Sequence, residues 1–534
     1  MIMFSALLTT GLEDLSGARF IRVSKGESEA ILPRAAFTVS NRNLFAALGE
    51  QGVHLGEKTR IDDVIEKVSW VETFEQAVVP TGPGWCHGCY VLGDGAILQA
   101  TEGPNIFLAF APEAQPFETI GDTRSWRYSV GRPLQDQSLA MLAVMAMFVP
   151  PLMPFMPMVE SFAIEFVGLS GTGKTTLNRV ASSVIGGTGL ASGPSYARLM
   201  ASVMNDPAEQ LKAYRDHAVV LEGVDAYHGT ATLKQQRAAY NFFANELPAL
   251  SRAGPGDALR TVALLSARHS LRDLAGVKAD EVDSLLTFRI DADRPFGVFD
   301  TVPPPFANGA AFADALSAAA TAQHGTIYRH FIAKLVGAAS SDPTKLSDGL
   351  ARLQADFIRH AEALNGGRLD KATRALSAVY AAGRYAQRLG LLPKRWDCLE
   401  AVASWYQFQR TTSASPVEPL IDVLERLIRE GAIRSTSPGS KSLIQTLSAK
   451  ATAKATLWTM ADHREVRIRP DRLLELIPDW KAREKGTEVA ELLIRGDGRH
   501  LRRKAAFTPG AEAQRLVCLR LPLISGDKPS SNFN

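Results

Sequence analysis

Gly168-Leu169-Ser170-Gly171-Thr172-Gly173-Lys174-Thr175-Thr176 is the stretch from which the rest of this chain can be read. Two glycines with four residues between them, followed by lysine and a hydroxyl residue, form a phosphate-cradling pattern, provided that a strand precedes it and a helix follows. Both flanks qualify. Phe162 to Val167 reads as a buried strand, and Thr175 to Ile185 puts Leu177, Val180, Ala181, Val184 and Ile185 on one helical face before Gly186-Gly187 ends the helix. Glycines at 168, 171 and 173 let the backbone turn tightly and, with Ser170 and Thr172, present N–H groups to anionic oxygens, while the helix adds the positive end of its dipole. Lys174 is expected to reach the β and γ phosphates of ATP, and the Thr175 hydroxyl to ligate Mg²⁺. Thr176 reads as an ordinary helix residue at the rim of the same site.

Such a site needs a carboxylate at the tip of a neighbouring strand to hold the metal through its water shell. Ala218 to Leu221 is a short apolar run of buried-strand type ending in Glu222-Gly223-Val224-Asp225. Glu222 is the first choice and Asp225 the second, against a solvated loop acid for either. A further strand, Thr261 to Leu265, ends in Ser266, a polar group placed to sense the terminal phosphate. Between them, Leu233 to Glu246 reads as a helix leading into the loop Ser251-Arg252-Ala253-Gly254-Pro255-Gly256, and Phe288-Arg289-Ile290-Asp291 closes the core. Arg252 and Arg289 are candidates for stabilising charge across a subunit interface, with plain surface residues as the alternative.

With 534 residues the chain has room for three or four domains, and 46% hydrophobic with 22% charged residues is the composition of a soluble protein. A net charge of +3 is too small to identify a partner, so only local clusters inform. Met1 to Leu8 has no basic region before its apolar run, and no signal peptide is expected. The uncharged run Leu139 to Val159 approaches the length of a membrane span, but Pro150, Pro151, Pro154 and Pro157 break its second half; a buried helix is expected and no membrane. Four cysteines in a chain this long form no disulfide framework and point to a reducing, cytoplasmic compartment. Cys86-His87-Gly88-Cys89 has the spacing of half a zinc or redox site, yet no second pair completes it; thiols in a hairpin are the plainer reading.

Taken in order, residues 1–134 predict a mixed α+β domain rich in antiparallel strands, and 135–301 an α/β nucleotide-binding core. Residues 302–412 are Ala-rich and predict a helical bundle. Residues 413–534 alternate helix and strand in a way that fits a winged-helix-like module with a disordered tail. Arg495, Arg499, Arg502, Arg503 and Lys504, against the single acid Asp497, suggest a basic wing on phosphates, or else a solvated turn.

Together the loop, Gly84-Trp85 with Tyr90-Val91-Leu92, Tyr240 to Arg252, Phe288 to Asp291 with Phe299, and Ala372 to Gly390 resemble the domain of unknown function 927 family of bacteria and phages. Its better understood relatives resemble mobile-element replicative helicases and MCM-type AAA+ ring ATPases. The resemblance implies a P-loop NTPase (AAA+-like) core, ATP and Mg²⁺ as cofactors, DNA as a partner, and a homo-oligomeric ring or a hetero-assembly with a related ATPase. It also exposes a departure. The family carries adjacent Asp and Glu after the second strand, where this chain has Glu222-Gly223, and an acid after the third, where it has Ala267-Arg268-His269. Losing a positioned base costs on the order of 10² to 10⁴ in rate. A DNA-acting ATPase motor is therefore the first expectation, a nucleotide-binding scaffold or regulatory subunit the second, and a small-molecule kinase the third, disfavoured by the lack of an arginine-rich lid.

Overall fold

A computed structural model describes residues 7–523 except 39, 41–42, 56–58, 102, 114–115, 157, 190–194, 255–257, 278–283, 292–293, 366–369, 414–419, 436–453, 461, 478–479, 481–488, 490–491, 495–502 and 509–510. The basic run is thus described only at Arg503 and Lys504, and the tail not at all. The chain is of mixed α/β type and divides into two compact units, residues 1–232, 238–269 and 282–410 in the first, and 233–237, 270–281 and 411–534 in the second.

The first unit opens with β1 (Leu7–Asp14), β2 (Arg19–Lys25), β3 (Ser28–Pro33) and β4 (Phe74–Ala77), which form a sheet in the order β3-β2-β1-β4. Alternation does the work here. Ile21 and Val23 of β2, with Ala30 and Leu32 of β3, face the helices Leu44–Glu50 and Ile61–Ser69 and bury against Leu44, Leu48, Val64 and Val68. A second sheet holds β5 (Gly84–Cys86), β6 (Cys89–Val91) and β7 (Ile97–Leu98). Cys86 and Cys89 pair across the two-residue turn His87-Gly88, whose positive φ values of 44° and 83° suit a twisted hairpin. Both thiols are free, and burial pushes that of Cys86 up to about 12, the setting of an inert thiol.

The centre of the unit is a five-stranded sheet of β8 (Phe162–Val167), β9 (Arg198–Leu199), β10 (Val219–Glu222), β11 (Val262–Ala267) and β12 (Leu285–Arg289), ordered β12-β8-β11-β10-β9 with every pairing parallel. Such strands are covered on both faces and read as unbroken apolar runs, and all six residues of β8 are buried. The short edge strand was less visible. Tyr196 to Val203 has a helical pattern, yet Arg198 and Leu199 pair with Leu221 and Glu222, and helix begins only at Met200. Tertiary pairing overrides the local preference there. The uncharged run near residue 140 forms the helix Ser138–Ala146, buried on every side, and among the described residues no helix is long and apolar enough to cross a membrane. Five helices then follow, Gly309–Ala322, Thr326–Ser341, Pro343–Asn365, Lys371–Arg388 and Cys398–Ser413, and the first two pack on the Lys174–Ile185 helix behind the sheet.

One buried ion pair ties the small β5–β7 sheet to the amino-terminal edge of the parallel sheet. Asp216, just before β10, receives two hydrogen bonds from Arg260 at 2.5 and 3.1 Å and one from the Trp85 N–H at 2.9 Å. The Tyr90 and Tyr328 hydroxyls both donate to its carbonyl, at 2.5 and 3.2 Å. Its neighbour His217 is wholly buried among the rings of Tyr90, Phe117 and Tyr328, and burial pushes its imidazole down to about 4.

In the second unit the helix Leu420–Arg429 buries Leu420, Val423, Leu424 and Leu427. They pack against β13 (Ile433–Ser435), β14 (Ala455–Thr459), β15 (Arg464–Ile468), β16 (Arg503–Ala506) and β17 (Ala513–Leu521), a sheet ordered β13-β14-β15-β17-β16. Besides the expected strands near 466–468 and 516–521 it contains three more, so the sheet is wider than the wing of a winged helix. Arg464 pairs with Glu425, and Arg467 pairs with Glu465 at 2.8 Å while its guanidinium lies 4.0 Å over the Trp458 ring.

Asp216→Ala leaves the Arg260 charge with no partner in a largely buried place and should lower unfolding free energy by about 3 kcal/mol in urea titration. The folded state keeps His217 neutral down to about pH 4, whereas the unfolded chain protonates it near 6.5, so stability should fall as pH drops through that window. His217→Phe should flatten the decline by one proton's contribution, read from melting curves at pH 7 and pH 5.

Candidate functional site

The loop 168–173 emerges from the carboxyl end of β8, the edge at which open parallel sheets bind ligands. Gly168 is anchored by its N–H to the Ala267 carbonyl at the end of β11, 3.1 Å away. Gly171 and Gly173 take φ of 83° and 93°, the left-handed turns that aim consecutive amides to one side, and the twelve-residue helix Lys174–Ile185 starts directly after them. The carbonyls of Gly168 and Leu169 are occupied. Thr172 Oγ1 donates to the Leu169 carbonyl at 2.9 Å, and the Lys174 ammonium donates to the carbonyls of Gly168 and Leu169, each at 2.7 Å. Ser170 and Thr175 are exposed, and Thr176 is buried in the helix.

A buttress behind the loop was only partly legible. The segment Phe296-Gly297-Val298-Phe299-Asp300 runs against it, and the Val298 N–H donates to the Thr172 carbonyl at 2.8 Å. Gly297 has φ of 60°, and a Cβ there would collide with that carbonyl; a Cβ on Gly173 would lie 2.7 Å from a Val298 methyl. Asp300 fixes the segment by accepting from the Ser138 N–H at 2.6 Å and from Arg294 at 2.7 Å. Only Phe299 had been singled out, because glycine at 297 looks like any other loop glycine until its neighbour is known.

Around the loop stand the acids. Glu222 ends β10, where burial raises its carboxyl and Arg179 of the loop helix opposes the rise. Gly223, at φ 69°, turns the chain into the helix Val224–Thr230, so Asp225 sits in the first turn and accepts from the Arg268 N–H at 2.7 Å. Asp225 and Arg268 both act on Lys174. Burial lowers the Lys174 ammonium, Asp225 opposes that, and Arg268 adds to it. Ser266 accepts from the Asn178 side-chain amide at 3.0 Å, which fastens the tip of β11 to the loop helix; the Asn178 carboxamide oxygen is buried with no hydrogen-bond partner among the described residues. Arg289 is exposed at the end of β12, beside the strand that feeds the loop.

Arg252 is placed elsewhere. It pairs with Glu160 at 3.0 Å, ahead of β8, so the length of that strand, about 20 Å, separates it from the loop of its own chain. The structure therefore brings together Gly168, Ser170, Gly171, Thr172, Gly173, Lys174, Thr175, Glu222, Asp225 and Ser266 at one edge, and leaves Arg252 at the other.

The donor set has the character of a polyphosphate and divalent-ion site. The loop amides, one ammonium and an exposed hydroxyl share this edge with Asp225, which acts on Lys174, and with Glu222 at the end of β10. Among the described residues no three His, Cys, Asp or Glu side chains gather to hold a metal by themselves. An ion at Thr175 would draw its remaining ligands from phosphate and water, as Mg²⁺ does.

The family model described as "Domain of unknown function (DUF927)" matches residues 17–242, from β2 through the loop to the helix after Glu222. Residues 17–242 belong to the DUF927 family. No curated protein matches the sequence. Among solved structures, the SCCmec type IV Cch active helicase is similar in fold, with TM-score 0.53 at 13% identity over 97% of this chain and 94% of that one. The apo C-terminal region of NrS-1 aligns over 75% of this chain and 90% of its own at 8% identity, with TM-score 0.26. The DUF927 segment takes in both the Trp85–Tyr90 sheet and the loop, the two ends joined through Asp216.

Gly297→Val should cost about 1–3 kcal/mol of stability through overpacking against the Thr172 carbonyl, measured by thermal melting. Gly254→Ala, with open space around its α-carbon, should change little.

Proposed function

We propose that this DUF927 protein is an ATP-binding, ATP-hydrolysing motor of the mobile-element helicase type that acts on DNA, built on a P-loop, AAA+-like core. The observation that carries the reading is the loop itself, whose amides and ammonium converge at the carboxyl edge of a parallel sheet with Asp225 and Glu222 at the same edge. The helicase fold relationship over 97% of the chain supports the motor role.

In this reading Lys174 exchanges the Gly168 and Leu169 carbonyls for phosphate oxygens, and Thr175 with Glu222 holds Mg²⁺. Bound there, the ion would neutralise charge on the β and γ oxygens. Asp225, oriented by the Arg268 N–H, is the carboxylate available to accept a proton from water, taking the place of the acid that Gly223 lacks. Ser266 follows the loop helix through Asn178. Arg289 is placed to complete a neighbour's site in a homo-oligomeric ring, as is Arg252, which lies too far from its own loop to serve it.

For DNA, Lys504 of β16 and Arg515 of β17 stand directly opposite each other and exposed. Like charges so paired repel, and an anionic backbone across them removes the penalty. The C-terminal sheet is thus the nucleic-acid-facing surface, with the rest of the basic run beside Lys504 in sequence. A second reading, a nucleotide-binding scaffold that assembles with a related ATPase, is favoured by Gly223 alone, since it removes the acid next to Glu222.

Lys174→Ala should abolish nucleotide binding in a fluorescent-ATP titration. Asp225→Ala should retain binding and lose about 10²-fold or more in turnover; wild-type protein that binds ATP but turns none over, with or without single-stranded DNA, leaves the scaffold reading standing instead. If all five basic residues at 495–504 contact single-stranded DNA, log affinity should fall against log salt with a slope of about −3.5. A flat dependence would remove that segment from the interface.

A further inference from the structure

We infer that Arg268 is a cation supplied by this chain to the terminal phosphate of its own bound nucleoside triphosphate, so that it sets the preference for triphosphate over diphosphate. The inference rests on the nucleotide-binding reading and adds a residue to it.

Three observations place Arg268 there. Its predecessor Ala267 gives its carbonyl to the Gly168 N–H at 3.1 Å, so the exit of β11 lies against the first residue of the loop. Its own N–H is held by Asp225 at 2.7 Å, which fixes where its side chain departs. The guanidinium is exposed and makes no ion pair or hydrogen bond among the described residues, whereas Arg252, Arg260, Arg294 and Arg329 of the same unit each engage a carboxylate.

Electrostatics gives the vacant fork its meaning. Arg268 is near enough to Lys174 to disfavour the charge on that ammonium, while Asp225, near both, acts on Lys174 more strongly in the opposite sense. Two cations held apart at the mouth of an amide-lined loop repel until an anion of more than one charge lies between them. A diphosphate held by the loop and Lys174 satisfies the nearer cation. The third phosphate adds the charge that reaches the second, where a planar guanidinium can engage two oxygens at once. Asp225 then has two jobs: its carboxylate sets the Arg268 backbone and faces the same phosphate, so loading the site with a triphosphate and orienting the acid are one event.

The test compares fluorescent, non-hydrolysable ATP and ADP analogues by equilibrium titration with Mg²⁺, in wild type, Arg268→Ala, Arg268→Lys and Lys174→Ala. Arg268→Ala removes the fork but keeps the backbone N–H that Asp225 uses, so the fold should be unchanged by melting temperature. Expected is a loss of about 10-fold or more for the triphosphate analogue against less than about 3-fold for the diphosphate, with Arg268→Lys recovering part of the difference. Equal losses for both analogues, or none, overturn the inference while leaving the loop as a nucleotide site. Wild-type protein that binds neither analogue overturns the nucleotide reading and this inference with it.

Discussion

Amides that converge on an anion have carbonyls that diverge from it, and those carbonyls must be satisfied from behind or the loop will not hold its shape. That constraint organises the carboxyl edge of the sheet. The Val298 N–H takes the Thr172 carbonyl, and the Thr172 hydroxyl takes that of Leu169. Glycine at 297 is what lets the buttress come close enough to make the bond. Asp300 then carries the constraint to Ser138 and so to the buried helix that begins there. A segment far along the chain, between the parallel sheet and the helices, is thus part of the anion cradle's foundation.

The two edges of the sheet divide the labour. At the amino-terminal edge polar groups pair across the seam: Asp216 with Arg260 and Trp85, Arg215 with the carbonyls of Gly82 and Pro83, and Thr261 with His217. These bonds are buried or half-buried, and those of Asp216 and Arg215 join the β5–β7 sheet to the core. At the carboxyl edge Ser170, Thr175, Asp225, Arg268 and Arg289 are exposed, and Lys174 and Glu222 half-buried.

What the sequence made legible follows from how local each signal is. The strand, loop and helix at 162–185 depend on near neighbours and were readable, as were the five helices after residue 309, whose apolar periodicity is long. The edge strand Arg198–Leu199 was missed because two residues carry no periodicity and only the β10 partner makes them a strand. In the site, Lys174, Thr175, Glu222 and Asp225 were named from spacing. The contact of Asp225 with Arg268 spans 43 positions, and the close approach of Gly297 to Thr172 spans many more; no local pattern encodes either. Arg252 illustrates the opposite case, a residue whose loop looked suitable but which lies at the other end of β8.

The replacement at 223 makes more sense once the turn is seen. With φ at 69°, Gly223 occupies a left-handed conformation that glycine adopts without steric cost, and that turn starts the helix carrying Asp225. The conformation does not by itself exclude an acid, since Asp136 and Asp216 take φ of 65° and 60° and a Cβ at 223 would meet only Leu199 at 3.5 Å. What the turn supplies is the placement of Asp225, whose carboxylate accepts from the Arg268 N–H and acts on the Lys174 ammonium. Under the proposed nucleotide-binding reading, Asp225 and Glu222 are thus two acids this edge offers, one at the end of β10 and one in the first turn of the helix after it.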